Sequence, residues 1–448
     1  MTVLVAIDEW LGPVLPSAPK DVLVILLLAV LSIGAGWGRL IFVLIGTVLM
    51  VMAILSREDS LRLIDDALGS AAFITAFLTA MATLRHASST SPAIEACGSF
   101  LARQPPGRRY GALTLGGHLF GVLLNYGSLV LLGSLAEANA RREPNAEIRG
   151  HRMRRMLLAV QRGFVSTLTW SPLAFALAIS TSLVPGARWA DAVWPCLISG
   201  LLLAALGWVL DTIFKPRLSA PPPPRAEATG SWLSLWPLLA LLAILVLSIG
   251  GIQGATGVRT VGVVMVVVPA LAFAWLVLQQ SGQAPLLGAL HHSGRYVAED
   301  LPGYRGELLL LMMAGFIGTL GSQLISPLLG AAAIDFSTVP AWQILIAIVW
   351  LVPLTGQMGM NPILSVSLFV PLLPVPEAMG LTPSDMIVAI TAGWALGASS
   401  SPYAATTLLI GAMGQVSALH VGLRWNGLFT VLGGAVLSLW VVAVATFW

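Results

Sequence analysis

Two polar interruptions of apolar stretches, about half a chain apart, constrain the fold of this sequence most. They cover residues 163–174 and 393–404, and both contain Gly, an aromatic residue, a hydroxyl cluster, Ser-Pro and Ala at matching places. A proline inside a helix removes one backbone N–H and clashes with the preceding turn, so each helix is predicted to open near Pro172 or Pro402. In a bilayer such an opening survives only inside protein or beside a watery cavity. Paired helix breaks therefore point to a transporter's binding site.

Composition places the chain in a membrane. Apolar residues make up 57% of it and charged residues 10%, with a mean hydropathy of +0.89. Runs such as 21–33, 41–55 and 260–278 approach or meet the length needed to cross a bilayer. We therefore predict an all-α, multi-pass protein of a cell's inner membrane. The formal charge of +3 then says little about nucleic acid, and no nucleic-acid partner is expected.

The chain divides into two similar halves. Residues 215–231 form the only long polar, proline-rich stretch, which predicts an extended cytoplasmic linker between residues 1–214 and 232–448. The helices predicted in the two halves follow the same order of lengths, and Asn125 corresponds to Asn361. An internal repeat is the favoured interpretation.

Arginine placement predicts that the repeat is inverted. The segments on both sides of 108–137 are arginine-rich and should both be cytoplasmic. This stretch is therefore predicted to be a re-entrant hairpin, and 341–372 is its counterpart. Each half then has about five crossings, one hairpin and one broken helix (156–182 or 384–416), and an odd number of crossings inverts the second half. The basic residues that fall on the outer side are Lys20, Arg57, Arg62, Arg188 and Arg259.

This arrangement resembles the ion transporter superfamily, which includes divalent anion/sodium symporters and arsenite or sodium/proton antiporters. The resemblance covers nearly the whole chain as architecture. It implies that Ser-Asn-Thr motifs at the hairpin tips and helix breaks hold sodium and a substrate carboxylate. By position these places are residues 125–128, 361–365, 167–172 and 399–402. None of the four contains an intact Ser-Asn-Thr, which leaves Na⁺ coupling and dicarboxylate specificity open.

The tips and breaks supply the candidate substrate-binding residues. An opened helix presents half-helix N-termini to an anion and free carbonyl groups to a cation, with hydroxyl and amide groups beside them. The competing interpretation is that the hydroxyls bond back to the preceding turn or join helices. No fixed positive charge is expected beside these groups. The candidates are Asn125, Ser128, Thr167, Thr169, Ser171, Asn361, Ser365, Ser399, Ser400 and Ser401, with the helix breaks at Pro172 and Pro402.

Two further residues are predicted with competing roles. His118 lies two helical turns before Asn125 and could relay protons, although a buried, satisfied histidine is favoured. Arg162 should lie near the cytoplasmic face, where its side chain can snorkel to water. No carboxylate falls at a predicted midplane position, which argues against a cation/proton antiporter driven by aspartate.

The favoured function is secondary active transport of a small anion, with an organic carboxylate preferred, by an elevator or rocking mechanism. Either Na⁺ or H⁺ would be the coupling ion, and no other cofactor or metal is expected. The alternatives are a metalloid-anion or ion/proton antiporter and, from another class, a non-transporting assembly or scaffold subunit. No nucleophile–base pair or metal-ligand spacing indicates an enzyme. The expected partners are the anionic substrate and the lipid bilayer, and a homodimer is left open.

Overall fold

The chain is a bundle of helices, and the residues described contain no strand. This confirms the prediction of an all-α, polytopic protein. The computed structural model describes residues 1–12, 16–216, 218–219, 231–280, 284–331 and 339–448. Most of the predicted linker 215–231 lies outside the described residues.

The helices follow the predicted order in both halves. The first half contains α1 (Thr2–Leu11), α2 (Ser17–Ser32), α3 (Trp37–Ser56), α4 (Ser60–Ser89), α5 (Pro92–Ala102), α6 (Arg109–Leu124), α7 (Tyr126–Arg141), α8 (Ala146–Val165), α9 (Phe175–Leu183) and α10 (Trp189–Ile213). The second contains α11 (Trp236–Thr256), α12 (Thr260–Gln279), α13 (Pro285–Arg295), α14 (Arg305–Ala331), α15 (Ala341–Gln357), α16 (Pro362–Phe369), α17 (Pro383–Ser400), α18 (Ala405–Gly414) and α19 (Gly427–Phe447). Short 3₁₀ or π turns cover Trp232–Leu235, Tyr296–Asp300, Leu301–Tyr304, Val370–Leu372, Pro376–Met379 and His420–Trp425.

Several helices are long and apolar enough to span a bilayer. At about 1.5 Å per residue, roughly 20 residues cover a hydrocarbon core of about 30 Å. By length and composition, seven segments of the described chain qualify: Trp37–Ser56, Ser60–Ser89, Trp189–Ile213, Trp232–Thr256, Thr260–Gln279, Pro285–Leu328 and Gly427–Phe447. The two arms of the first hairpin, α6 and α7, have 16 residues each and are too short to qualify.

The helix that leads into the first break starts ten residues before the predicted position 156. Asn145 caps it, since its Oδ1 accepts the backbone N–H groups of Glu147 and Ile148 at 2.9 and 3.1 Å. The first turns of α8 are rich in arginine, so hydropathy alone does not mark them as part of this helix. Helices α1, α5 and α13 were not predicted either, because each is short.

Packing between helices follows a similar pattern in the two halves. Within the halves, α6 packs on α8 and α15 packs on α17. Between the halves, α4 packs on α12 and α14 packs on α3. The halves also interlock, since α7 packs on α18 and α16 packs on α9. This correspondence supports the inverted repeat, which stays a prediction. As a result of this packing, the two hairpins and the two helix breaks contact one another.

Candidate functional site

The first hairpin turns at a single residue. Asn125 ends α6 and begins α7 with φ 50° and ψ −130°. A non-glycine residue in such a conformation costs about 1–3 kcal/mol, and strain of this kind gathers at binding sites. The Asn125 side chain is half-buried and makes no capping hydrogen bond, so its amide can meet a ligand. Ser128 instead closes the turn, because its Oγ donates to the Asn125 carbonyl oxygen at 2.7 Å.

A fixed positive charge does lie beside this tip, which corrects the sequence-based expectation. Arg85 of α4 reaches the start of α7, where a Cβ built on Gly127 would stand 3.2 Å from Arg85 Nε. The guanidinium group lies over the ring of Tyr304, 5.4 Å from its centroid. Arg85 joins none of the ion pairs formed within the described residues. An acidic group that acts on Arg85 is Glu307, whose charge interacts with the guanidinium without a direct ion pair. A half-buried cation that forms no direct ion pair, next to the positive end of a helix, favours an anion between them.

The first helix break packs directly against this hairpin. Helix α8 ends at Val165 and α9 begins at Phe175, with turns between them. Thr167 faces α6, because a Cβ on Gly121 would stand 3.2 Å from Thr167 Oγ1. The absence of a side chain at Gly121 therefore lets the hairpin and the break approach closely.

The hydroxyls of the first break are buried and bonded locally. Thr167 donates to the carbonyl oxygen of Phe164 at 2.8 Å, and Thr169 donates to that of Ser166 at 3.1 Å. Ser171 Oγ, next to Pro172, accepts the backbone N–H of Leu173 at 3.3 Å. The donor capacity of both threonines is thus used within the turn, as the competing interpretation held, and their oxygens can still accept.

His118 is held as a neutral imidazole. Its Nε2 accepts the indole N–H of Trp170 at 3.2 Å, so the single proton of the neutral ring lies on Nδ1. Nδ1 then donates to Ser166 Oγ at 2.7 Å, and Ser166 donates onward to the Gly163 carbonyl oxygen at 2.6 Å. A proton added to Nε2 would break the bond from Trp170. Through these hydrogen bonds, a change in the charge of His118 would change a contact of the first break.

The second hairpin and the second break are joined by hydrogen bonds. Ser401 Oγ, next to Pro402, donates to the Gly356 carbonyl oxygen at 2.6 Å, and Gln357 Nε2 donates to Ser400 Oγ at 3.4 Å. Asn361 caps α16, since its Oδ1 accepts the N–H of Ile363 at 2.8 Å. The other candidates also bond nearby: Ser365 to Thr355 at 2.8 Å, and Ser399 to Leu396 at 2.8 Å.

Each hairpin thus contacts the break that follows it in the sequence. The two halves then meet through helix packing, because α17 packs on both α8 and α9. No hydrogen bond joins Asn125 to Asn361 in the described part of the chain. Sequence reasoning missed Arg85, whose approach to Gly127 depends on a contact between distant parts of the sequence.

Arg162 does not snorkel, and that prediction was wrong. Only 5% of its surface is exposed. The guanidinium donates to Tyr110 Oη at 3.2 Å, Asn426 Oδ1 at 3.1 Å and the Trp425 carbonyl oxygen at 3.2 Å, and it lies 4.7 Å from the centroid of the Phe429 ring. These neutral partners hold the charge inside the protein, where it braces α8 against the start of α19.

Paired hairpins and paired broken helices lie within a bundle of apolar helices, which is the architecture of a polytopic membrane protein. The fold is similar to that of the Alcanivorax borkumensis YdaH transporter, whose crystal structure reveals an unusual topology. The two chains share 18% identity over 92% of this chain and 99% of that one, with a TM-score of 0.59. At this identity the likeness is one of fold. No family model matches the sequence, and no curated protein matches it.

Proposed function

We propose that this chain is a secondary active transporter of a small anion, an organic carboxylate, in the inner membrane. We also propose that it belongs to the ion transporter superfamily. The observation that carries the proposal is Arg85, a half-buried guanidinium that forms no direct ion pair in the described chain and lies beside the strained tip of the first hairpin. The likeness of fold to a membrane transporter supports transport over catalysis.

The tip offers a carboxylate a mixed set of donors. The planar guanidinium of Arg85 can donate two parallel N–H bonds to the two carboxylate oxygens. The first N–H groups of α7 and the amide of Asn125 belong to the same turn as Gly127, and the helix end adds a partial positive charge. Hydrogen bonds to a charged group contribute on the order of 1.5–3 kcal/mol each, so losing one weakens binding roughly ten- to a hundred-fold.

The position of the hairpins supports an elevator-like movement. Gly127 of α7 lies beside Arg85, close to the end of α4, whereas Ser367 of α16 lies beside Gly318, in the middle of α14. The two hairpins thus contact their long neighbouring helices at different places along those helices, an inequality that an end state of alternating access would produce.

The coupling ion is Na⁺ or H⁺. The bond from Trp170 to His118 favours H⁺, because protonation of His118 would change a contact of the first break. Sodium would instead use carbonyl and hydroxyl oxygens at the two breaks.

A thermal-shift screen of small carboxylates on the purified protein, with and without Na⁺, tests the proposal. We expect at least one carboxylate to stabilise the wild type and to show counterflow in proteoliposomes. Arg85→Gln should weaken that carboxylate roughly ten- to a hundred-fold, and Arg85→Lys should retain part of the affinity. The control is Arg295→Gln, since Arg295 is exposed and pairs only with Glu299.

Two results would count against the proposal. If the Arg85→Gln protein folds and still binds and exchanges the carboxylate like the wild type, Arg85 is not part of the binding site and the proposal loses its main support. A stabilising carboxylate with no counterflow under any gradient would favour the non-transporting scaffold instead.

A further inference from the structure

A second basic site lies at the other end of the first hairpin. A cavity of about 320 Å³ opens beside Arg109, the first residue of α6, and is lined on one side by the arginine-rich start of α8. The 16 residues of α6 separate it from the tip at Asn125, which is about 24 Å at ~1.5 Å per residue. It is therefore distinct from the site proposed for transport.

Three guanidinium groups and one imidazole face this cavity. They belong to Arg109, His151, Arg152 and Arg155, and none of the described residues that line it is acidic. The acidic partners of the arginines are outside this lining: Glu143 Oε2 accepts from Arg152 Nη2 at 2.8 Å. The Asp211 carboxylate takes two bonds from Arg155, at 2.8 and 2.7 Å.

These contacts orient the arginines, and some of their N–H donors stay without a hydrogen-bond partner in the described chain. Arg152 uses one of its nitrogens and Arg155 uses two, so each keeps N–H groups without a partner in the described chain. Arg109 donates through Nε to the Gln104 carbonyl oxygen at 2.7 Å, and its two terminal nitrogens have no partner in the described chain. The cavity is therefore a cluster of oriented donors without acceptors.

The positive charges that line this cavity are only partly compensated. Burial, followed by the charges of Arg152 and Arg155, lowers the pKa of Arg109 to about 10, which still leaves it protonated at neutral pH. Glu143 and Asp211 compensate the charges of Arg152 and Arg155, whereas Arg109 forms no ion pair among the described residues, and an anion in the cavity would supply its partner.

We propose that this cavity binds the phosphate group of an anionic phospholipid or of a soluble phosphate ester. A tetrahedral phosphate offers enough acceptor oxygens for three guanidinium groups, more than a single carboxylate does. Ile148 and Met156 line the same cavity and can contact the carbon part of the ligand. A basic pocket at the cytoplasmic end of membrane helices is also where lipid headgroups bind.

Short-chain lipids and one soluble ester test the proposal and separate the two sources. The delipidated protein in detergent is titrated with dioctanoyl phosphatidylglycerol, dioctanoyl phosphatidylcholine and glycerol 3-phosphate, and binding is followed by native mass spectrometry. We expect the anionic lipid to bind at least ten-fold more tightly than the zwitterionic lipid. Glycerol 3-phosphate binding as tightly as the anionic lipid would assign the site to a soluble ester, and weaker binding would assign it to the lipid.

Two variants tie the binding to this cavity. Arg109→Gln should weaken the preferred ligand roughly ten- to a hundred-fold, whereas the exposed Arg295→Gln should not change it. Gly107→Phe places a ring at the cavity wall with no atom within 4 Å of its Cβ, so it should also reduce binding while keeping every charge. No binding of the anionic lipid or of the ester to the wild type overturns the proposal. So does unchanged binding to folded Arg109→Gln or, should that variant not fold, to Gly107→Phe.

Discussion

The two hairpin tips carry corresponding asparagines and use them in opposite ways. Asn125 makes the first turn alone, in a strained conformation, and its side chain caps nothing. Asn361 has φ −67° and ψ 140°, and its side chain caps α16. In the second hairpin the positive φ, of 92°, falls on Gly359, which adopts it without a steric penalty. Asn361 thus uses its side-chain oxygen as a helix cap, whereas the Asn125 side chain makes no hydrogen bond in the described chain.

The hairpins also differ in the helices behind them. Helix α16 lies along α14, where Gly318 lets the backbone and side chain of Ser367 approach closely. Helix α7 packs on α5, α6, α8 and α18, and Arg85 is the side chain of α4 that reaches its first turn. The second hairpin is therefore packed against a long helix, while the first is held at its tip by a charged side chain that a ligand can also use.

This difference indicates that an internal repeat need not give two equal half-sites. A transporter with inverted halves is symmetric only at the midpoint of its cycle, so each end state makes the halves unequal. An end state of the proposed transport cycle would account for this inequality. We expect the first tip, which lies beside Arg85, to carry most of the anion affinity.

Alanine substitution of the two tip asparagines is the most sensitive test of this difference, because it has the largest expected effect. Asn125→Ala should weaken substrate binding and uptake roughly ten- to a hundred-fold, because a free amide donor to a charged group is lost. Asn361→Ala should cost about 1 kcal/mol of stability through the lost cap and change affinity little, and Asn361→Ser should restore the cap. Isothermal titration and proteoliposome uptake measure both effects.

Equal losses in the two alanine variants would restore the symmetric site that the sequence suggested. Normal transport by both would move the site elsewhere and would contradict the family resemblance as well.

His118 offers a second test, because the two halves differ in their titratable groups. The His118–Ser166–Trp170 chain braces the first break, whereas Ser401 and Gln357 hold the second with neutral groups. If H⁺ is the coupling ion, His118→Gln should abolish accumulation driven by a pH gradient and spare exchange of substrate at equal pH. Accumulation driven by Na⁺ and unchanged in this variant would assign coupling to sodium.

The sequence predicted the parts of the fold that depend on local chemistry. Proline removes a backbone donor wherever it stands, so both breaks were placed from Pro172 and Pro402. Asn125 and Asn361 were likewise recognised as corresponding positions. The start of α8 was missed because an asparagine cap, and not hydropathy, determines it.

The site was predictable only in part, because its charge comes from another helix. Arg85 stands near the end of a long apolar helix, and its sequence position suggests only a residue at the cytoplasmic boundary. Its approach to Gly127 joins two helices that are not adjacent in the sequence, and no local pattern predicts such a contact. Arg162 was misplaced for a similar reason, since its neutral partner Asn426 lies far along the chain.

The smallest expected effects concern the backbone of the two tips. Asn125→Gly should stabilise the protein by about 1 kcal/mol, because glycine relieves the strain at φ 50° and ψ −130°. Gly359→Ala should destabilise it by about as much, because alanine would be strained at φ 92°. Thermal unfolding in detergent, without substrate, should give shifts of opposite sign for the two variants. Asn125→Gly should still bind substrate as weakly as Asn125→Ala, since both lack the amide. A glycine variant that is less stable than the wild type would mean that the Asn125 side chain has a partner in the resting protein. The side chain of the first tip would then be hydrogen-bonded, as the Asn361 oxygen is at the second tip.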